Sequence, residues 1–285
     1  MMATLFPDYL TISRPELGKD TSVHVRVVGD ADDVARDMAT DMLESILSAR
    51  KDDRALTMIA PVGPVDQFPI LADLINQRRV DCRNVVIVNM DEYLSDADPT
   101  GEDQWIDLEH PLSFRGYMNR KFYDLLNVDL APRAEFRIFP DPRDLDQIPR
   151  LIEKRGGVDV TYGGIGINGH LAFNEPDDEA TAEEFSQRPT RVLDLTPHTR
   201  TINANTVGGE ISVIPFRAAT VGMKEILASR RVHIYCNRPW QSAVVRRALH
   251  GPITAECPAS LLRTHENASL TVADFVAERP DIRLR

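Results

Sequence analysis

The chain has 285 residues, a length that suits one large α/β domain or two small ones. Hydrophobic residues make up 42% of it and charged residues 27%, a balance that excludes a disordered protein and predicts a core of useful size. The formal net charge of −11 disfavours nucleic acid and anionic membranes as partners, because an acidic surface repels both.

Short apolar runs, each followed by a helical pattern, recur along the chain. The apolar runs predict strands over residues 23–28, 55–60, 85–90, 158–166, 218–222 and 232–236. The segments between them predict helices over 30–50, from about 68 to 75, over 110–126, between the last two strands, and over 239–249. This alternation predicts a single α/β domain over residues 1–285, a three-layer sandwich with a mostly parallel, Rossmann-like central sheet.

Two acidic motifs follow directly on predicted strands. Asp91 ends the run 85–90, while His170 and Glu175 lie in the loop after 158–166. Ligands of parallel sheets bind at the carboxyl ends of the strands, so we expect the two motifs to share one pocket. Partial burial would raise the pKa of the Asp91 carboxyl and suit it to act as a base. The alternative for Asp91 is a helix-capping or salt-bridged carboxylate.

The loop after the fourth predicted strand is rich in glycine. Gly163, Gly164, Gly166 and Gly169 suit a turn with positive φ angles, in which backbone N–H groups approach a ligand closely. The spacing matches neither the dinucleotide-binding fingerprint nor the phosphate-binding P-loop. The sequence therefore predicts a ligand loop of another kind.

His170 precedes Glu175 by five residues in this loop. The two side chains would form an imidazole–carboxylate pair for proton transfer near neutral pH. A histidine held by hydrogen bonds for a structural purpose is the alternative. The spacing is not typical of metal ligands and nothing supplies a third one, so we expect no metal.

Four segments of the chain resemble the signature of the glucosamine-6-phosphate deaminases (isomerases), whose sugar-phosphate relatives include the 6-phosphogluconolactonases. These segments are 89–93, 110–118, 164–176 and 219–222. The resemblance covers roughly residues 24 to 275. Within the third segment, the run Phe173-Asn174-Glu175-Pro176 favours the deaminases over the lactonases.

The resemblance implies conversion of an amino-aldose phosphate into a ketose phosphate and ammonia, without a metal or an organic cofactor. Asp91 takes the place of the base that moves a proton between C2 and C1. His170 takes the place of the residue that assists ring opening, and Glu175 that of the carboxylate working with it. The resemblance also predicts a mobile lid around residues 195–214. The implied substrate-binding residues are Gly63, Glu92, Tyr93, Gly164, Gly166, Gly169, Asn174, Arg191, Asn205 and Gln241.

Asn168 is a departure from the family pattern, which has an aspartate at this position. An asparagine is expected to orient the His170 ring without stabilising its cation, because the amide carries no charge. The alternatives are that Asn168 is a neutral spacer, or that ring opening depends on Glu175 alone.

The phosphate-binding end of the implied site departs further from the family pattern than Asn168 does. The turn over 61–66 offers fewer donors than its family counterpart, and Asn205 and Gln241 stand where the family has an arginine and a lysine. These changes predict a different substrate end, either a neutral sugar or another acid group. The cationic residues that would replace the lost contacts are Arg115, Arg191, Arg200 and Lys224.

The leading prediction is an amino-sugar isomerase/deaminase that works through an enediol-type intermediate and has altered specificity. A sugar-lactone hydrolase, in which His170 activates water, is a second prediction, and a non-catalytic sugar-binding or regulatory protein is a third. Retention of Asp91, His170 and Glu175 together disfavours both of these. The expected partner is a small sugar or sugar phosphate, and a homo-oligomer is left open.

A cytoplasmic location is predicted from the cysteines and from the N-terminus. Cys82, Cys236 and Cys257 are widely spaced and include no C-x-x-C pair, which is typical of reduced thiols. The first residues lack the basic and apolar regions of a secretory signal, and no stretch approaches the roughly 18 apolar residues of a membrane span.

Overall fold

The computed structural model describes residues 6–62, 66–95 and 101–283. The strands are β1 (His24–Val28), β2 (Thr57–Ala60), β3 (Val86–Asn89), β4 (Asp91–Tyr93), β5 (Arg137–Ile138), β6 (Val160–Gly163), β7 (Arg191–Asp194), β8 (Arg217–Thr220), β9 (Val232–Cys236) and β10 (Ala268–Ala273). The α-helices are α1 (Ala31–Lys51), α2 (Gln67–Arg78), α3 (Phe114–Lys121), α4 (Gln147–Arg155), α5 (Ala182–Ser186), α6 (Pro197–Asn203), α7 (Met223–Leu227), α8 (Gln241–His250) and α9 (Asp274–Ala277). None of these described helices is long and apolar enough to cross a lipid bilayer.

Within the described residues, seven strands form one parallel sheet in the order β1-β10-β9-β6-β2-β3-β5. Every residue of β2, β3, β6 and β9 is buried, as expected for parallel strands covered on both faces. Helices α1 and α2 pack against each other, and α1 also contacts β9 and β10. The predicted α/β sandwich with a mostly parallel central sheet is confirmed.

Helix α1 begins and packs as its sequence predicts. The Asp30 carboxylate accepts hydrogen bonds from the N–H groups of Asp32 and Asp33, which are otherwise unpaired at a helix start. Met38 and Met42, four residues apart, are both fully buried against the core. Burial of such a side chain stabilises the fold by about 1.5–3 kcal/mol.

A small antiparallel sheet, with the order β4-β8-β7, continues from the carboxyl end of β3. The apolar strand predicted over 85–90 ends before Asp91, as expected, because β3 stops at Asn89. Residues 91–93, for which no strand is predicted, form the separate strand β4. The run 218–222, predicted as a strand, forms β8 of this small sheet rather than part of the parallel one. Both runs are short and buried, so periodicity does not separate the two sheets. As a result Asp91 is paired directly with Thr220.

The helix predicted over 110–126 is shorter in the structure. Helix α3 begins only after Ser113, whose Oγ accepts a hydrogen bond from the Gly116 N–H. Its first two N–H groups donate to the Glu92 carboxylate, which satisfies donors that a helix start leaves unpaired. A Cβ at Gly116 would lie 2.3 Å from the Leu108 carbonyl oxygen, so only glycine fits there.

Candidate active site

Asp91, the first residue of β4, is 7% exposed, and its carboxylate is held by two donors. Its Oδ1 accepts a hydrogen bond of 2.5 Å from the Thr220 hydroxyl and one of 3.0 Å from the Phe173 N–H. Burial raises the pKa of the Asp91 carboxyl to about 7, and the two hydrogen bonds offset this rise only in part. The group is therefore able to accept and release a proton near neutral pH.

The hydrogen bond from Phe173 joins two parts of the site that are distant in sequence. Phe173 lies between His170 and Glu175, and its ring meets the His170 ring edge-on with 6.0 Å between centroids. His170 is close enough for its charge to lower the pKa of the Asp91 carboxyl. The structure thus brings Asp91 together with residues 164–176 (the histidine loop), while the catalytic roles of Asp91 and His170 stay predictions.

Glu175 is buried beside His170. Its Oε2 lies 3.7 Å from His170 Nδ1 and 2.6 Å from the Asn168 amide nitrogen. The Thr196 N–H and hydroxyl each donate to this carboxylate at 3.1 Å. Burial raises the pKa of the Glu175 carboxyl, but His170 and the hydrogen-bond donors outweigh it and lower the pKa to about 2. Glu175 is therefore ionised at neutral pH.

Asn168 is bonded to Glu175 rather than to the His170 ring. Its amide nitrogen donates to the Glu175 carboxylate, and its Oδ1 accepts from the His170 backbone N–H at 3.3 Å. The expectation that Asn168 orients the imidazole is corrected, because His170 Nδ1 lies instead 3.2 Å from Thr199 Oγ1. An amide donates to a carboxylate, whereas an aspartate at this position would repel it.

Sequence reasoning misses the threonine hydroxyls of the site. Thr196 is the N-cap of α6, Thr199 lies in the first turn of this helix, and Thr220 ends β8. Thr196 followed by Pro197 is a typical helix start, so the sequence does contain a signal for α6. Thr220 carries no local signal, because its position depends on the pairing of β8 with β4.

Two glycines shape the histidine loop. A Cβ at Gly166 would lie 2.0 Å from His170 Nε2, so the imidazole ring packs where only glycine leaves room. Gly169 has a φ of +96°, and a Cβ there would lie 2.7 Å from Cys257 Sγ. Gly164 is half-buried just beyond the end of β6. Contact of these glycines with a substrate stays a prediction.

Glu92 and Tyr93 are buried and have internal partners. Both Glu92 oxygens accept hydrogen bonds from the start of α3, and Arg115 Nε donates to Oε2 at 3.1 Å. The Tyr93 hydroxyl accepts from Asn203 Nδ2 at 2.8 Å, and its ring lies 5.6 Å from that of Phe173. Burial raises the pKa of the Tyr93 hydroxyl above its usual value. These contacts support neighbouring elements, and substrate binding by either residue stays a prediction.

The buried Asn174 and the half-buried Arg191 form a pair that connects the loop to β7. Asn174 Nδ2 donates to the carbonyl oxygens of Leu171 and Val221 at 2.9 Å each. Its Oδ1 accepts from Arg191 Nη1 at 2.6 Å. Burial lowers the pKa of the Arg191 guanidinium to about 10. Arg191 therefore already has a partner, and its predicted contact with substrate stays untested.

Two of the three residues predicted at the phosphate end, Asn205 and Gln241, lie among the described residues. Gly63 lies outside the described residues, and Asn205 is exposed in the 3-10 turn after α6. Gln241 is buried at the start of α8, where its Nε2 donates to the Ile165 carbonyl oxygen and its Oε1 accepts from the Arg238 N–H, both at 2.8 Å. Gln241 thus connects α8 to the histidine loop.

Two of the remaining cationic candidates are engaged inside the protein. Arg115 donates to Glu92, and Arg200 Nε donates to the Ile214 carbonyl oxygen at 3.1 Å. Lys224 is exposed on α7. An anion would therefore have to compete with existing contacts to reach either arginine.

The chain is similar to curated proteins over nearly its whole length, although no family model matches it. It is 30% identical over 261 residues to a glucosamine-6-phosphate deaminase of Cellvibrio japonicus, covering 90% of each chain. A glucosamine-6-phosphate deaminase of Porphyromonas gingivalis is 29% identical over 255 residues, with 87% of this chain and 90% of the relative covered.

Solved structures show the same fold. A monomeric glucosamine-6-phosphate deaminase superposes with a TM-score of 0.75 at 24% identity, covering 90% of this chain and 99% of its own. A putative 6-phosphogluconolactonase from Neisseria gonorrhoeae superposes with a TM-score of 0.59 at 17% identity, covering 88% and 98%.

Proposed function

This chain belongs to the glucosamine-6-phosphate deaminase family, and we propose that it converts an amino-aldose phosphate and water into a ketose phosphate and ammonia. The observation that supports this most is the buried Asp91 carboxyl, whose pKa is about 7, placed beside His170 and an ionised Glu175. Enolisation needs a carboxylate base that is shielded from water, and ring opening needs a group that exchanges protons near neutral pH.

In the proposed mechanism, His170 first assists opening of the sugar ring to the free aldehyde. Asp91 then removes the proton from C2 while the aldehyde oxygen at C1 takes up a proton, which gives an enediol-type intermediate that carries the amino group on C2. Asp91 returns its proton to C1, and the amino group releases a proton that replaces the one taken up by the oxygen. The product is an imine at C2, which adds water and releases ammonia to leave the ketose. These steps use the side chains of the site and water.

The phosphate end of the substrate is where we propose a difference from the relatives. Gln241 already bonds to the Ile165 carbonyl oxygen and the Arg238 N–H, and Asn205 carries no charge. A phosphate bound there would meet fewer cationic partners than an arginine and a lysine provide. We therefore propose altered specificity, with the tolerance for an unphosphorylated sugar as its measurable sign.

The test is to incubate the purified protein with glucosamine 6-phosphate, galactosamine 6-phosphate and their unphosphorylated forms, and to measure ammonia and ketose. Ammonia and ketose in equal amounts, lost in Asp91→Asn, are the expected result. Turnover of sugar lactones that persists in Asp91→Asn would favour a hydrolase instead. Saturable sugar binding without turnover would favour a binding protein and contradict the proposal.

The cellular location and the oligomeric state of the protein are also matters of proposal and prediction. All three cysteines are buried and unpaired, which suits the reducing cytoplasm that we propose as the site of action. A homo-oligomer stays a prediction, to be measured by light scattering during gel filtration. The lid over residues 195–214, which includes α6, also stays a prediction.

A further inference from the structure

A groove at the edge of the parallel sheet lies outside the candidate active site. Its volume is about 450 Å³, and it is lined by residues of α3, the edge strand β5 and the start of α4. This size is in the range of small-molecule sites in proteins. The described residues that line it do not include Asp91, His170 or Glu175. They do include Trp105, Arg115, Asn119, Tyr123, Arg137 and Gln147.

Arg137 is fixed in this groove by two contacts that leave its terminal nitrogens without partners. Its Nε donates to the Pro132 carbonyl oxygen at 2.9 Å, and its guanidinium lies over the Tyr123 ring, 4.5 Å from the centroid. The stacking and the Nε bond together set the plane of the guanidinium. Among the residues that the structure describes, none accepts a hydrogen bond from Nη1 or Nη2 of Arg137, and no carboxylate forms an ion pair with it.

The lack of a carboxylate partner distinguishes Arg137 from two other half-buried arginines. Arg188 pairs with Asp177, and Arg231 pairs with Asp41 at 2.9 Å. Carboxylates are abundant in this chain, which has 44 acidic residues against 33 lysines and arginines. A guanidinium that is fixed, half-buried and left with two free nitrogens is prepared to bind an oxyanion through two parallel hydrogen bonds.

Two side-chain amides line the same groove. Asn119 lies one turn after Arg115 on α3, and Gln147 is the first residue of α4. Both are half-buried, and within the described part of the chain neither side-chain amide has a hydrogen-bond partner. Unused donors from β5, α3 and α4 therefore line one cavity.

The net charge available to a ligand comes from Arg137. Arg115 also lines the groove, but its Nε donates to Glu92 and its Nη2 to the Ile106 carbonyl oxygen, and the buried Glu92 carboxylate offsets its charge. Glu135 adds a carboxylate to the lining. This residue is exposed, so water weakens its repulsion of a bound anion.

We propose that this groove binds a small phosphate monoester, with the Arg137 fork on the phosphate and the Asn119 and Gln147 amides on its remaining oxygens. A phosphate monoester presents three oxygens in different directions. It therefore suits donors on three elements better than the two coplanar oxygens of a carboxylate do. The groove is much larger than a phosphate ion, and Leu108 and Ile138 in its lining offer apolar contact to the carbon chain of an ester.

The test follows the fluorescence of Trp105 in a Trp240→Phe background. These are the two tryptophans of the chain, and Trp105 lines the groove, so the remaining signal reports on the groove rather than on the candidate active site. Titration with glycerol 3-phosphate should give a saturable change in fluorescence. The proposal does not depend on the proposed function, because no step of this test uses turnover.

Arg137→Gln is the decisive variant, and Arg133→Gln is its matched control. Arg133 is an exposed arginine of the same segment that lies over the Phe136 ring and does not line the groove. Arg137→Gln should raise the Kd for glycerol 3-phosphate by about 10- to 100-fold, as the loss of charge-assisted hydrogen bonds does. Arg133→Gln should stay within about twofold of the parent, and Glu135→Gln should lower the Kd by about two- to threefold because it removes a like charge.

Inorganic phosphate and acetate identify the ligand class. Inorganic phosphate should bind at least about threefold more weakly than glycerol 3-phosphate, because it lacks the apolar contacts, and acetate should bind at least about tenfold more weakly. An equal Kd for acetate would contradict the choice of a phosphate, and an equal Kd for inorganic phosphate would contradict the choice of an ester.

Three outcomes would overturn the site itself. They are no saturable change with glycerol 3-phosphate, an unchanged Kd in Arg137→Gln, and an equal loss of affinity in Arg133→Gln, which would indicate a diffuse effect of charge. Thermal unfolding checks that each variant folds. If Arg137→Gln does not fold, Arg137→Lys takes its place, since it keeps the charge but loses the planar fork, and it should also weaken binding.

Discussion

The two buried carboxylates of this site, Asp91 and Glu175, are equally hidden from water but differ in charge. Asp91 is 7% exposed and Glu175 is 8% exposed, yet burial raises the pKa of Asp91 to about 7 while that of Glu175 is lowered to about 2. Asp91 has two hydrogen-bond donors, and Glu175 has an amide, a threonine N–H and hydroxyl, and the neighbouring His170. At similar exposure, the partners of Glu175 outweigh the effect of burial on its pKa, whereas those of Asp91 do not.

The difference between the two pKa values suits the two carboxyl groups to different chemical roles. A carboxyl that titrates near neutrality can take up and release a proton, which suits the proposed C2 base. A carboxylate that stays ionised at all ordinary pH values cannot shuttle protons, but it stabilises a nearby cation such as protonated His170. Substitutions of these two residues and of their partners test this division of roles.

Replacement of Asp91 should have the largest effect, with opposite signs for activity and stability. Asp91→Asn is expected to lower kcat by about 10³-fold, because the base is lost. The folded-state pKa is raised, so ionisation of Asp91 destabilises the protein as pH rises from about 4 through 7. Asp91→Asn should therefore be more stable than the parent at pH 8, by up to about 4 kcal/mol, and equal to it at pH 4. Denaturant unfolding at both pH values measures this, and a less stable variant at pH 8 would contradict the assignment.

Replacement of Glu175 should show the reverse dependence on pH. The folded-state pKa is lowered, so the ionised group stabilises the fold above about pH 5, and this stability is lost as pH falls towards 2. Glu175→Gln is expected to lower kcat by about 10²-fold and to destabilise the protein at pH 7 by about 1–3 kcal/mol. The difference in unfolding free energy should shrink at pH 3. Equal destabilisation at pH 3 and 7 would mean that packing, not charge, is responsible.

Sequence patterns predict the strands that precede Asp91 and His170 better than they predict the side chains that contact these two residues. Residues 85–90 form a continuous apolar run, and residues 158–166 are a strand pattern that ends in glycines. The placement of Asp91 and His170 after the ends of these strands therefore follows from the sequence. The strand β5 has two residues, β7 has no buried residue and β10 follows a 3-10 segment, so their local signals are weak. The threonine partners of Asp91 and His170, Thr220 and Thr199, come from pairing and packing between distant elements, which no local pattern contains.

Replacement of Thr220 tests whether the pH dependence of activity comes from the Asp91 carboxyl. Activity should rise with pH through about 7, as the Asp91 carboxyl loses its proton and becomes a base. The Thr220 hydroxyl lowers the pKa of this carboxyl, so Thr220→Val should move the rise in kcat/KM to higher pH and lower kcat by about 10-fold. Thr220→Ser, which keeps the hydroxyl, should restore the parent profile. An unmoved profile in Thr220→Val would assign the rise to another group.

Replacement of Gln241 should have the smallest effect on activity, and this effect should act through the histidine loop alone. Gln241→Leu removes the hydrogen bond to the buried Ile165 carbonyl oxygen, at a cost of about 1–3 kcal/mol for an unsatisfied acceptor. Since Ile165 leads into the loop that carries His170 and Glu175, KM and kcat should change by a few fold through that loop. The pH at which activity rises should stay near 7, because Asp91 is held by Thr220 and Phe173 and not by α8. If the Gln241 variant moved this rise, the two carboxylates would not be independent, and the division of work between them would have to be abandoned.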